Sequence, residues 1–118
     1  MNVELLQQVK QAILAEPDKF RMDRWSCGTA HCIAGWACLL RDIPIVEGDF
    51  TTETVSGEYP GLVASKLLDL RGRAADKLFY TFGWPSRFRA PYLGATRRER
   101  AEIAAERIDH FIATDGRE

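Results

Sequence analysis

Three cysteines and one histidine fall close together in the first third of the chain, and their side chains can act as nucleophiles, bases or metal ligands. They are Cys27, His31, Cys32 and Cys38. Cys27 lies just before a predicted helix, where the helix dipole lowers the pKa of a thiol, and His31 is near enough in sequence to act as a base. No acidic residue that would orient the histidine is evident. A thiol-dependent enzyme or redox sensor that uses Cys27 and His31 is therefore one alternative function.

A structural role for these cysteines is favoured over catalysis and over metal binding. Structural zinc sites usually contain two closely spaced ligand pairs, and Cys27, His31 and Cys32 have no second pair to join. Free cysteine is also among the residue types most often buried in protein interiors. We therefore expect no catalytic residue, no metal, no cofactor and at least two buried thiols.

Arginines are concentrated in the second half of the chain. Residues 71–107 carry nine basic and four acidic side chains, whereas residues 1–70 carry six basic and ten acidic ones. Arginine recognises carboxylate and phosphate groups well, because its planar guanidinium can donate two parallel hydrogen bonds. These arginines could therefore form a surface for a small anion or an acidic partner. Ion pairing of the same side chains with Glu99, Glu102 and the acidic N-terminal half is the favoured explanation, because surface ion pairs are common. The candidate residues are Arg87, Arg89, Arg97, Arg98 and Arg100.

A second basic pattern lies in residues 63–79, where two short predicted helices meet at Gly72. Such a corner resembles a helix-turn-helix, with Arg71, Arg73 and Lys77 directed towards nucleic acid. Asp76 would place a negative charge towards the groove, and helix corners are far commoner than DNA readers. A DNA-binding regulator is therefore a less favoured alternative.

The sequence around the cysteines contains a distinctive motif, W-x-C-G-T-x-x-C-x-A-G-W-A, from Trp25 to Ala37. It resembles a motif found in a family of small, functionally uncharacterised bacterial and phage-encoded proteins. The resemblance implies a shared fold and no assigned activity. It also implies that the motif residues act together, and these are Trp25, Cys27, Gly28, Thr29, Cys32, Gly35 and Trp36.

The same stretch predicts the element that positions these residues. From Ala30 to Leu40 only His31 is strongly polar, and a helix that is apolar nearly all round is normally buried. Thr29 is the predicted N-cap, and the residue before Pro44 disfavours helical geometry. We therefore predict a buried central helix over about residues 29–41.

The flanking segments predict further helices and little sheet. Apolar residues recur at helical spacing over residues 3–16, 60–70, 73–80 and 97–112, and Thr96 and Glu99 form a capping-box pattern. Phe20 and Met22 alternate with charged residues, and residues 43–58 are rich in threonine and glycine. Prolines and glycines in residues 81–94 predict an aromatic loop that seals the core with Phe82, Trp84, Phe88 and Tyr92. The fold class is therefore all-α, a bundle of about five helices in a single domain over residues 1–118, with a minor β element in 20–25 or 43–58.

The overall composition narrows the functional classes. The chain has 118 residues and a net charge of −1, which argues against a general binder of nucleic acid or anionic membranes. Three cysteines and the lack of a signal sequence predict a cytoplasmic protein with reduced thiols. We expect a small, non-enzymatic protein that binds a protein partner or a small anion, without membrane association and with an oligomeric state that the sequence leaves open.

Overall fold

The computed structural model describes residues 1–23, 31–47, 52–54 and 57–118, and over these residues the fold is mainly helical. The α-helices are α1 (Val3–Ala15), α2 (Ile33–Leu40), α3 (Pro60–Leu67), α4 (Arg73–Phe79), α5 (Ser86–Leu93) and α6 (Arg97–Ala113). Short 3-10 turns occur at Pro17–Lys19 and Thr81–Gly83. The predicted all-α class is confirmed.

The two longest helices, α1 and α6, begin at capping residues and pack against each other, and the cap of α6 is the predicted one. The Asn2 side chain accepts a hydrogen bond from the Leu5 amide at 3.0 Å. At the start of α6, the Thr96 hydroxyl accepts from the Glu99 amide and the Glu99 carboxylate accepts from the Thr96 amide. These bonds satisfy backbone amides that otherwise lack partners in the first turn of a helix. The two helices therefore begin at these residues.

The central helix is shorter than predicted, because its first turn begins at Ile33. His31 is extended and pairs with the segment before it: its amide donates to the Lys19 carbonyl at 2.8 Å, and its carbonyl accepts from the Arg21 amide at 3.1 Å. The N-cap is Cys32, whose Sγ accepts from the Gly35 amide at 3.4 Å. The predicted cap, Thr29, lies outside the described residues. Residues 33–38 are all buried, which confirms the buried character of this helix.

Within the described part of the chain, the strands form one antiparallel pair, β1 (Ile45–Glu47) and β2 (Thr52–Thr54), in the predicted range 43–58. A single bridge between Phe20 and His31 adds to it.

The segment predicted as an aromatic loop contains α5, which makes six helices where about five were predicted. Pro91 lies inside this eight-residue helix and limits its length. Trp84, Phe88 and Tyr92 are buried as predicted. The prediction that Phe82 seals the core is wrong, because this side chain is 71% exposed. It stacks on Tyr80 with ring centroids 5.1 Å apart.

Buried apolar side chains from all six helices form one hydrophobic cluster. Helix α2 packs against α1 and α3, and α5 packs against α6. The start of α1 is also tied to the end of α3, because the Asn2 amide donates to the Leu68 carbonyl at 2.7 Å. The 3-10 turn at Pro17–Lys19 packs against α6, and the space between residues 18–23 and the start of α6 forms the site described next.

Candidate anion-binding cleft

The structure places two of the predicted thiols in the core. Cys32 and Cys38 are buried, and neither is in a disulfide. Burial raises the pKa of the Cys32 thiol to about 12 and that of the Cys38 thiol to about 11. The Cys38 thiol donates to the Pro60 carbonyl with an Sγ to oxygen distance of 3.7 Å. A thiolate, which is the nucleophilic form, is disfavoured at both positions.

The structure does not bring the other two residues of the predicted cysteine and histidine group, Cys27 and His31, together in the part of the chain that it describes. The His31 ring lies edge-on to the Trp36 ring, with centroids 5.3 Å apart. Cys27 and its motif neighbours Trp25, Gly28 and Thr29 lie outside the described residues. Within the described ranges, no group of three histidine, cysteine or acidic side chains is arranged to hold a metal ion.

The five candidate arginines divide between separate environments. Arg97 and Arg100 line one cleft. Arg89 donates to the Phe82 carbonyl at 3.5 Å, and Arg98 lies 4.0 Å from the Glu102 carboxylate. The Arg87 guanidinium carbon stands 4.7 Å from the centroid of the Phe88 ring.

The cleft that Arg97 and Arg100 line has a volume of about 440 Å³ and lies between residues 18–23 and the α5–α6 connection. Its aromatic lining consists of Phe20 and Tyr92, which meet edge to face at a centroid distance of 6.5 Å. Both rings are at least nine-tenths buried. The remaining lining residues are Asp18, Arg21, Met22, Asp23, Thr81 and Leu93.

Arg100 is fixed on one side of this cleft by three contacts. Its Nε donates to the Tyr92 carbonyl and its Nη2 to the Leu93 carbonyl, both at 3.1 Å. Its guanidinium also lies over the Tyr92 ring at 4.8 Å from the centroid. Carbonyls at the end of a helix carry partial negative charge, so they stabilise a cation there. Burial raises the pKa of the Tyr92 phenol despite the opposing effect of Arg100, so this ring is neutral near pH 7.

The charges around the cleft are only partly compensated. Arg21 donates to the Asp23 carboxylate at 2.7 Å through Nε. Asp18 is exposed on the same side. Arg97 is exposed and makes no ion pair or side-chain hydrogen bond with any residue in the described part of the chain. The cleft thus contains the Arg97 guanidinium, which has no partner among the described residues, and the Arg100 guanidinium, which is held in place. Its aromatic lining is formed by Phe20 and Tyr92.

Sequence reasoning identified Arg97 and Arg100 but missed the residues that face them. The alternation of Phe20 and Met22 with charged residues indicated an extended segment, and that segment forms the opposite wall. Its position depends on the pairing of residues 19–21 with His31, which is a long-range contact that periodicity alone does not indicate.

The corner between α3 and α4 has exposed Arg71 and Arg73, but its second helix is short. Helix α4 has seven residues, and Ala75, Leu78 and Phe79 face the core. The Lys77 amine donates to the Glu118 main-chain oxygen at 2.9 Å. Lys77 is therefore engaged within the chain, which weakens its predicted role towards nucleic acid.

No protein-family model matches the chain, and no curated protein or solved structure is significantly similar to it. Among the helices that the structure describes, none has the length and apolar character needed to cross a membrane.

Proposed function

We propose that this protein is a non-enzymatic binding protein that takes an anionic group of a partner in the cleft between residues 18–23 and the start of α6. The observation that carries the proposal is the position of Arg97, an exposed guanidinium that lines a cleft of about 440 Å³ and has no counter-charge among the residues that the structure describes. A free guanidinium can donate two hydrogen bonds to a carboxylate or phosphate.

The fixed Arg100 supports the same proposal. Because its contacts with the Tyr92 and Leu93 carbonyls already hold the side chain, binding costs little further side-chain entropy. The guanidinium has five N–H donors, and those two bonds leave donors for a ligand.

The aromatic lining of the cleft indicates the chemical character of the part of the ligand that follows its acidic group. Phe20 and Tyr92 contribute apolar atoms to the lining of the cleft, and Leu93, which also lines it, is 65% exposed. A group that combines an acidic end with an apolar body would satisfy both parts of the cleft. An acidic side chain of a protein partner, flanked by an apolar residue, fits this description.

The alternative of a thiol-dependent enzyme now depends on Cys27. Burial removes Cys32 and Cys38 from contact with a substrate, and Cys27 lies outside the described residues. The cytoplasmic location and the resemblance to the uncharacterised family stay predictions from the sequence.

Binding can be tested by NMR titration of the labelled protein with inorganic phosphate and with a hexaglutamate peptide. We expect shifts confined to the cleft residues, and we expect Arg97→Gln to weaken binding about tenfold, the loss of a charged hydrogen bond worth ~1.5 kcal/mol. Binding should also weaken as salt rises.

Arg98→Gln is the matched control, because Arg98 is the next residue on α6 and is exposed but does not line the cleft. It removes the same charge from the same helix turn. Equal losses in the two variants would mean that the anions respond to the general field of the helix start, and the proposed cleft site would then be wrong.

A further inference from the structure

Seven residues after Arg100, about two turns further along the helix, α6 contains a charged side chain that is completely buried. Arg107 has no exposed surface, and its guanidinium lies near the Phe88 and Phe111 rings, 5.9 and 5.4 Å from their centroids. Placing a full charge in such surroundings is costly unless an opposite charge and hydrogen bonds accompany it. A buried arginine is therefore stable only with an anionic group beside it.

The anion is the carboxylate of Glu118, which the same chain supplies. Arg107 binds it through both terminal nitrogens, with Nη2 to Oε2 at 2.6 Å, and Nη2 also donates to the Lys77 carbonyl at 3.0 Å. His110 Nδ1 lies 2.7 Å from Oε1, and the Lys77 amine donates to the Glu118 main-chain oxygen. The Glu118 side chain is only 8% exposed.

This arrangement has the composition of a ligand site. A bidentate arginine, an imidazole and a lysine converge on one residue, and aromatic rings form the walls. Arg107 Nε is buried and has no hydrogen-bond partner among the described residues. The donors of the site therefore exceed what its occupant accepts.

The occupant is attached through a short connection. After α6, Asp115 and Gly116 adopt left-handed conformations with φ of 53° and 70°, and the Gly116 amide donates to the Phe111 carbonyl at 2.9 Å. The exposed Arg117 makes only local contacts among the described residues, a backbone bond to Thr114 and an ion pair with Asp115 at 3.8 Å. Glu118 therefore makes the contacts of residues 117–118 with α4 and α6, and its release would leave Arg107 in need of another anion.

We propose that Arg107, His110 and Lys77 form a carboxylate-binding site that Glu118 occupies from within the chain, and that an acidic side chain of a separate polypeptide can take its place. The site is distinct from the cleft of Arg97 and Arg100, because it lies between α4, α5 and α6 and shares no residue with that cleft.

The test uses Glu118→Gln and the peptide Thr-Asp-Gly-Arg-Glu, which has the sequence of residues 114–118. We expect the peptide to bind the variant and raise its thermal midpoint. A peptide ending in Gln should do neither. Wild-type protein should bind the peptide about tenfold or more weakly, because the attached Glu118 competes at an effective concentration in the millimolar range.

The variant Arg107→Met, combined with Glu118→Gln, separates this site from others. Buried ion pairs are often replaced by apolar side chains without loss of the fold, so this variant should fold but should not bind the peptide. If it binds as well as Glu118→Gln alone, or if the Gln-terminated peptide binds equally, the proposed site is wrong. Failure of binding in Glu118→Gln protein that remains folded would also overturn it.

A second measurement covers the case in which Glu118→Gln does not fold. In wild-type protein, excess Glu-terminated peptide should release the attached segment and shift the backbone amide NMR signals of Arg117 and Glu118, and the Gln-terminated peptide should not. Unchanged Arg117 and Glu118 signals at saturating Glu-terminated peptide would show that Glu118 is a fixed structural partner and not an exchangeable occupant.

Discussion

At the scale of single residues, Cys32 combines the cap of α2 with full burial. Its sulfur accepts from the Gly35 amide, and its side chain is 1% exposed. The sequence motif therefore has a physical explanation at this position, since a small side chain with an acceptor atom must end the extended segment and start a buried helix. A serine has the same shape and a better acceptor, so Cys32→Ser should keep the cap.

The raised thiol pKa of Cys32 gives a prediction for stability at high pH. The folded pKa is about 12 and the model-compound value is 9.0, so the thiol stays protonated in the folded state while the unfolded state ionises. Stability from this group is fully present below pH 9 and falls as pH rises from 9 towards 12, by up to about 1.4 kcal/mol per pH unit.

Cys32→Ser should therefore lose less stability than wild-type protein between pH 8 and pH 10.5, because serine does not titrate in this range. Denaturant unfolding at each pH measures the difference. Parallel pH profiles for the two proteins would show that the Cys32 thiol ionises as readily in the folded state as in the unfolded one.

The types of the residues alone predicted the burial of thiols, but not the burial of Arg107. The expectation that at least two thiols are buried is confirmed for Cys32 and Cys38. A helix that is apolar nearly all round is buried in the core, and the cysteines on it are shielded from solvent. The partners of Arg107 were not predicted, because the Arg107 position reads as an ordinary charged helix residue. Only the packing of α4 and α5 on α6 shows that it is buried.

At the scale of elements, periodicity located the helices well and their ends less well. Helix α6 begins at the predicted capping box, because the cap is a local arrangement that the sequence contains in full. The start of α2 was placed too early, because the pairing of His31 with residues 19–21 overrides the helical preference of the segment. Helix α5 was missed because Pro91 normally disfavours helix interiors.

The 3-10 turn at Thr81–Gly83 packs closely on α4 and gives an element-scale prediction. A Cβ at Gly83 would lie 2.8 Å from the Asp76 carbonyl oxygen and 2.9 Å from the Lys77 Cα. Because both atoms belong to the backbone, α4 or the turn must move. Gly83→Ala should therefore destabilise the fold by about 1–3 kcal/mol, as overpacking does in protein cores.

Gly94→Ala is the matched control, because a Cβ at Gly94 meets nothing within 4 Å and its φ of −102° suits any residue. It should be neutral or slightly stabilising, since alanine restricts the unfolded chain more than glycine does. Thermal unfolding of both variants decides the matter, and an equally small effect at Gly83 would contradict the close packing of the turn on α4.

At the scale of the whole molecule, the two proposed sites lie at different positions along α6 and depend on the same helix. Arg97 and Arg100 face the cleft beside residues 18–23, whereas Arg107 and His110 face α4, α5 and Glu118. The net charge of −1 conceals this arrangement, because acidic side chains elsewhere offset the basic ones. Total charge therefore says little here about which anions can bind.

The expectation of a single domain can be tested through α1, which joins the parts of the molecule. It packs on α2 and α6, its cap residue bonds to the end of α3, and Lys10 pairs with Asp109 on α6 at 2.9 Å. Leu6 is fully buried in this helix. Leu6→Ala should lower the free energy of unfolding by about 2–5 kcal/mol, the usual cost of removing a buried leucine side chain.

If the chain is one cooperative unit, that loss should appear equally in every part of it. The chain has three tryptophans, and 5-fluorotryptophan labelling gives each a ¹⁹F NMR signal. Trp36 lies in α2 and Trp84 lies before α5, so their two signals report on two regions separately. We expect both signals and the far-ultraviolet circular dichroism to change at the same urea concentration in wild-type protein, and at the same lower concentration in Leu6→Ala. A Trp84 transition that stays at the wild-type midpoint while the Trp36 transition moves would mean that α4 to α6 fold independently of α1, and the single domain would then divide within residues 60–118.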